Sequence, residues 1–135
     1  MKEFRTTSVV TNIDEVTDFV NQELDQHECS AKSRIQIDVA IDEIFSNISN
    51  YAYHGEEGAV VVQTDFDTNT NMISICFIDD GIPFNPLTHK EPDVTLSAAQ
   101  REIGGLGIFV VIRTMDKVNY ENQNGKNVFT IWKKM

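Results

Sequence analysis

No apolar run in these 135 residues approaches the roughly 20 needed to cross a bilayer, and Met1-Lys2-Glu3-Phe4-Arg5 is no secretory signal. No membrane association and a cytoplasmic location are therefore expected. Cysteine is scarce. Cys29 and Cys76 are the two present, without metal-ligand spacing, which fits a reduced compartment. Positive charge is also short, with 11 Lys and Arg against 21 Asp and Glu, a net charge of −10 and a pI near 4.6. Direct nucleic-acid binding is disfavoured, because phosphates need clustered Lys and Arg. A nucleotide is still allowed if a divalent cation offsets its phosphates. The phosphate loop G-x-x-x-x-G-K-[ST] is missing. The glycines at 104, 105 and 107 follow a loop and not a strand, so the dinucleotide fingerprint is missing too. There is no internal repeat and no low-complexity segment.

What is present is an ordinary globular composition, 41% apolar, long enough for one domain over 1–135 with a real core. Residues 3–10 read as a strand. Asn12 or Asp14 can cap a helix from about 13 to 28 with Ile13, Val16, Phe19, Val20 and Leu24 on one face. Ser30 or Ser33 starts a second helix reaching about Tyr53, with Gly55 near its stop. Strands at 59–66 and 72–79 flank the polar turn 67–71. Residues 85–104 form a long loop, and long loops in compact domains are usually functional. Gly105 or Gly107 opens a third helix, and a hairpin at about 117–122 and 127–133 turns at Asn124-Gly125. The order predicts an α+β fold: a two-layer sandwich, its mixed, mostly antiparallel sheet covered on one face by three helices, with the loop placed to close over a site.

Three features carry chemistry. On the second helix, at about 100° per residue, Ile37, Ile41, Ile44, Ile48 and Ala52 form one apolar stripe, and Glu43, Asn47, Asn50 and His54 form a second beside it. A solvated face is the ordinary reading of such a polar stripe. This one flanks the buried face instead of opposing it. Asn can give a hard cation a carbonyl oxygen, and Glu can take a proton. His54 reads as a helix-end residue near the C-terminal dipole. Second, the strand 73–78 ends in Asp79-Asp80-Gly81. Asp-Gly is a common turn dipeptide, but a carboxylate closing an apolar strand beside bare backbone suits a flat, hydrogen-bonding ligand such as a purine. Third, Gly104-Gly105-Leu106-Gly107 precedes an amphipathic helix. Free N–H groups there can meet an anion, although a glycine cluster is also a plain hinge.

In this order, Glu43-x-x-x-Asn47, Asp79-x-Gly81, Gly105-x-Gly107 and a terminal strand with Thr130 resemble the GHKL superfamily of gyrases, histidine kinases and MutL, with its Bergerat ATP-binding fold. The wording Asn47-Ile-Ser-Asn-Tyr51-Ala-Tyr53-His54-Gly55, Asp79-Asp-Gly-Ile-Pro-Phe84 and Gly104-Gly-Leu-Gly-Ile-Phe109 is similar to the small branch of bacterial anti-sigma factors and serine kinases. The resemblance implies Mg-ATP as cofactor, with Asn47 as Mg²⁺ ligand and Glu43 as catalytic base. It implies Asp79 on the adenine amino group, Gly81 admitting adenine, and Thr130 supporting that contact through water. Gly105, Leu106 and Gly107 match the turn near the phosphates. Pro83 stands where the wider superfamily has a second glycine, and proline there suits this branch. Where some relatives carry an arginine this chain has Ile103, so Arg101 or Lys90 is the nearby cation for the phosphates.

The implied function is an ATP-dependent serine/threonine protein kinase and anti-sigma-factor-like switch. It would act on a STAS-type antagonist, with a sigma factor as a second partner and a homodimer as the assembly. A non-catalytic ATP-sensing binder and a detached histidine-kinase-type ATPase domain are the alternatives. The chain has no dimerisation hairpin with a phospho-accepting histidine, which weakens the last.

Overall fold

A computed structural model of the chain describes residues 1–54, 56–88 and 105–135. Five strands form one sheet: β1 (Lys2–Thr7), β2 (Ala59–Asp67), β3 (Met72–Asp79), β4 (Lys117–Gln123) and β5 (Lys126–Lys134), in the order β1-β2-β3-β5-β4. Every ladder among the described residues is antiparallel. Three helices, α1 (Ile13–Asp25), α2 (Ala31–Asn47) and α3 (Gly105–Thr114), complete the α+β sandwich. The helix α2 is central, packed on α1 at one side and α3 at the other.

Alternation sets the sheet's two faces. Along β3, Ile73, Ile75, Phe77 and Asp79 are buried while the residues between them are half-exposed. Through the register, Phe129 and Ile131 of β5 and Val60 and Val62 of β2 join that buried face. Above them lie Ile37, Ile41, Ile44, Phe45, Ile48 and Ala52 from α2 and its extension, so the apolar stripe faces the sheet as expected. Each large aliphatic or aromatic side chain buried here contributes about 1.5–3 kcal/mol.

Local details differ from the sequence reading. The first strand stops at Thr7, and Val10–Asn12 forms a single 3₁₀ turn into α1. Neither Asn12 nor Asp14 caps α1 through its side chain, because the Asn12 amide donates backwards to the Thr7 carbonyl and hydroxyl, each at 3.1 Å. Ser30 caps α2, its hydroxyl accepting the Ser33 N–H at 3.1 Å. Beyond Asn47 the helix widens into a π-helical segment, Ile48–Ala52, and His54, at φ +52, ends it in the left-handed region. Gly55 and most of the 85–104 loop lie outside the described residues.

Candidate functional site

The buried face of the sheet ends, at the C-terminus of β3, in two polar side chains. Asp79 and Asn127 are cross-strand partners in the β3–β5 register, each 5% exposed. The Asn127 amide nitrogen donates to Asp79 Oδ1 at 2.9 Å and to the Ile82 carbonyl at 2.8 Å. Its oxygen accepts from the Phe84 N–H at 3.3 Å and from the Tyr120 hydroxyl. The Gly81 N–H also donates to Asp79 Oδ1, at 2.9 Å. Burial pushes the Asp79 carboxyl above its ordinary range, and Asp80 adds to this, against the lowering effect of the Asn127 and Gly81 bonds. Asp80 itself is exposed and pairs with Lys126 at 2.7 Å.

Asp79 and Asn127 open into a small cavity of about 40 Å³. Ile44, Ile48 and Ala52 line one wall, Phe129 the sheet side and Ile108 the α3 side. Asn47 joins them from α2, 8% exposed, with no side-chain hydrogen bond among the described residues. Apolar walls with a few convergent polar groups suit a hydrogen-bonding ligand with an apolar face, such as a purine.

One turn before Asn47 on α2, Glu43 is half-buried. Burial raises its carboxyl above the usual range, and Asp42 adds to the rise. Glu43 does not line the cavity. Its carboxylate lies against the first turn of α3, where a side chain at Gly107 would meet Oε2 at 1.9 Å.

Gly81 has a structural reason of its own. A Cβ there would stand 2.2 Å from the Ala52 carbonyl oxygen, and the Ile82 N–H donates to that same oxygen at 2.9 Å. The widened end of the helix is thus clamped onto the turn after Asp79. Tyr53 clamps it again: its hydroxyl accepts from the Asp80 N–H at 2.8 Å and donates to the Ala59 carbonyl at 2.6 Å.

The expected site residues therefore divide. Asn47 and Asp79 share the cavity, and Glu43 and Gly107 meet beside it. Gly105 opens α3. Pro83 is exposed and lines no wall of the cavity, whereas Pro86 does. Arg101 and Lys90 lie outside the described residues, as does the Leu106 side chain. Thr130 is corrected. It pairs with Cys76 on the face of the sheet opposite the helices. The inward positions of β5 are Asn127, Phe129 and Ile131, so the polar partner of Asp79 is Asn127. Sequence reasoning passed over Asn127. The available signal was parity: a polar residue in phase with two buried apolar ones.

A sheet covered on one face, with a carboxylate at the end of its middle strand and an Asn-bearing central helix over it, agrees with what the resemblance to the GHKL superfamily implies. The family model described as a histidine kinase-like ATPase domain matches residues 6–133, and the chain belongs to that family. Its fold is similar to that of the Acinetobacter baumannii histidine kinase AdeS, with a TM-score of 0.53, 16% identity, and coverage of 100% of this chain and 69% of that one. No curated protein matches in sequence. No described helix is long and apolar enough to cross a membrane.

Proposed function

We propose that this domain is an ATP-dependent serine/threonine protein kinase that serves as a regulatory switch on a STAS-type partner. The observation that carries the nucleotide part is the Asp79–Asn127 pair at the end of an apolar cavity that Asn47 also enters. Both bonds that hold the carboxylate fall on Oδ1. We assign Oδ2 to the adenine amino group. Guanine offers a carbonyl at that place, which would set two acceptors against each other.

Asn47 supplies the amide oxygen for Mg²⁺, which when bound offsets the charge of the phosphates. Glu43, with a carboxyl made more basic by burial, is the base. It accepts the hydroxyl proton of a partner serine or threonine as that oxygen bonds to the γ-phosphorus and ADP leaves. The partner assignment rests on the likeness of Asn47–Gly55, Asp79–Phe84 and Gly104–Phe109 to the anti-sigma-factor branch. A sigma factor as second partner and a homodimer belong to the same reading.

Calorimetry should show Mg-ATP bound well ahead of Mg-GTP, with Asp79→Ala abolishing the signal. Equal binding of the two nucleotides would sink the assignment. Mass spectrometry after mixing with a purified STAS-domain protein and Mg-ATP should show one added phosphate. Glu43→Ala should leave ATP binding intact and slow transfer by about 10²–10⁴-fold. A stable complex with the wild-type chain and no phosphate added would instead identify an ATP-sensing binder.

A further inference from the structure

Gly107 is the third residue of α3, and its backbone does not call for glycine. Among the described glycines only Gly125 has a positive φ. What position 107 does call for is room. A Cβ built there would lie 1.9 Å from Glu43 Oε2, 2.6 Å from its Cδ and 3.2 Å from its Cγ. No real Cβ tolerates the first two distances. The carboxylate of α2 occupies the volume that a side chain on α3 would fill.

We propose that Gly107 is a positioning residue for Glu43: the missing side chain is the slot that holds the carboxylate against the first turn of α3. This deepens the assignment of Glu43 as the base and rests on it. Two features of the structure agree with the slot. Gly107 is buried, so its Cα forms a wall that water does not replace. The side chain that fills the slot is the one whose carboxyl is desolvated, although it lies on the flank of α2. The atoms a methyl group would strike are the far end of a flexible chain, so alanine at 107 can be accepted by swinging the carboxylate away. The fold would survive and the base would be displaced.

This differs from a hinge glycine in a measurable way. Alanine is the better helix former, so with no carboxylate to strike, Gly107→Ala should stabilise α3. Gly107→Ala should therefore raise the melting temperature in the Glu43→Ala background, and raise it less or lower it in the otherwise native chain. A hinge role predicts the same shift in both backgrounds, and that result would overturn the proposal. Failure of Gly107→Ala to fold in either background would overturn it as well. The second measurement is transfer to the STAS-type partner. In the otherwise native chain Gly107→Ala should slow transfer several-fold, because the carboxylate is displaced. In the Glu43→Ala background it should slow transfer no further, because no carboxylate is left to displace. An equal further loss in the Glu43→Ala background would reject the positioning role. If the native chain transfers nothing, the kinase reading fails while the melting comparison still decides the slot.

Discussion

Asp79 could be found from the sequence because a carboxylate closing an apolar strand breaks a pattern, and Asn127 could not, because nothing near it does. Lys126-Asn127 after Asn124-Gly125 reads as turn chemistry. Only the β3–β5 register places it opposite Asp79, with both side chains on the buried face. Thr130 was drawn in by resemblance to a motif, and its parity puts it on the other side of the sheet. The two residues make a direct contrast. Asn127→Ala strips partners from Asp79, the Ile82 carbonyl, the Phe84 N–H and the Tyr120 hydroxyl. Each buried group left unsatisfied costs about 1–3 kcal/mol, and the carboxylate loses the group that orients it. The variant should melt well below wild type and bind ATP at least ten-fold more weakly, about 1.4 kcal/mol. Thr130→Val should leave ATP affinity unchanged, since its side chain lies on the far face of the sheet, across from Cys76. Calorimetry on both variants checks this. A Thr130→Val defect as large as that of Asn127→Ala would restore Thr130 to the site.

At the scale of elements, α2 was legible where periodicity governs and illegible where tertiary contact does. The stripe from Ile37 to Ala52 follows the helical repeat and is buried as read. The π-helical turn Ile48–Ala52 has no signature in the residue pattern. As the last residue of the helix, Ala52 has a carbonyl with no partner within it, which accepts the Ile82 N–H, and such widened turns often mark functional sites. The same contact gives Gly81 its place. The sequence suggested glycine for the approach of a ligand, and the structure adds the approach of a helix end. Gly81→Ala would put a methyl group 2.2 Å from a backbone oxygen, where no rotamer can relieve it. Overpacking of this kind costs about 1–3 kcal/mol. The expected result is a lower melting temperature together with weaker ATP binding, because the Asp79 turn and the wall at Ala52 must part. Thermal denaturation checks the first and calorimetry the second. A Gly81→Ala chain as stable as wild type would mean that the clamp is loose.

For the whole molecule, the site is a place where stability has been given up. The chain carries a net charge of −10, and its two site carboxylates, Asp79 and Glu43, are raised by burial first, with further repulsion from Asp80 and Asp42 respectively. A carboxyl whose folded value lies above its unfolded one binds its proton more tightly in the native state. It therefore costs nothing below the unfolded value, 3.8 for Asp79, and its cost grows as pH rises through the raised folded value. Glu23 runs the other way. Burial alone would raise it, but Lys2 at 2.7 Å and His27 hold it below 4.5, so its contribution is present above that value and lost in acid. The prediction isolates Asp79. Asp79→Asn keeps an oxygen to accept the Gly81 and Asn127 donors and removes the buried charge. Without ligand it should melt above wild type at about pH 8, and the gap should narrow as the pH is lowered toward the unfolded value of 3.8, as the native carboxyl regains its proton. With Mg-ATP the order should reverse. Wild type should gain about 2.7 kcal/mol at a ligand concentration one hundred times Kd, and Asp79→Asn should gain nothing. Melting curves at both ends of that pH range, with and without Mg-ATP, measure all four states. A variant that melts below wild type by the same margin at both ends would show that the ionised Asp79 carries no burial cost, and the account of this site as a desolvated acceptor awaiting adenine would fall with it.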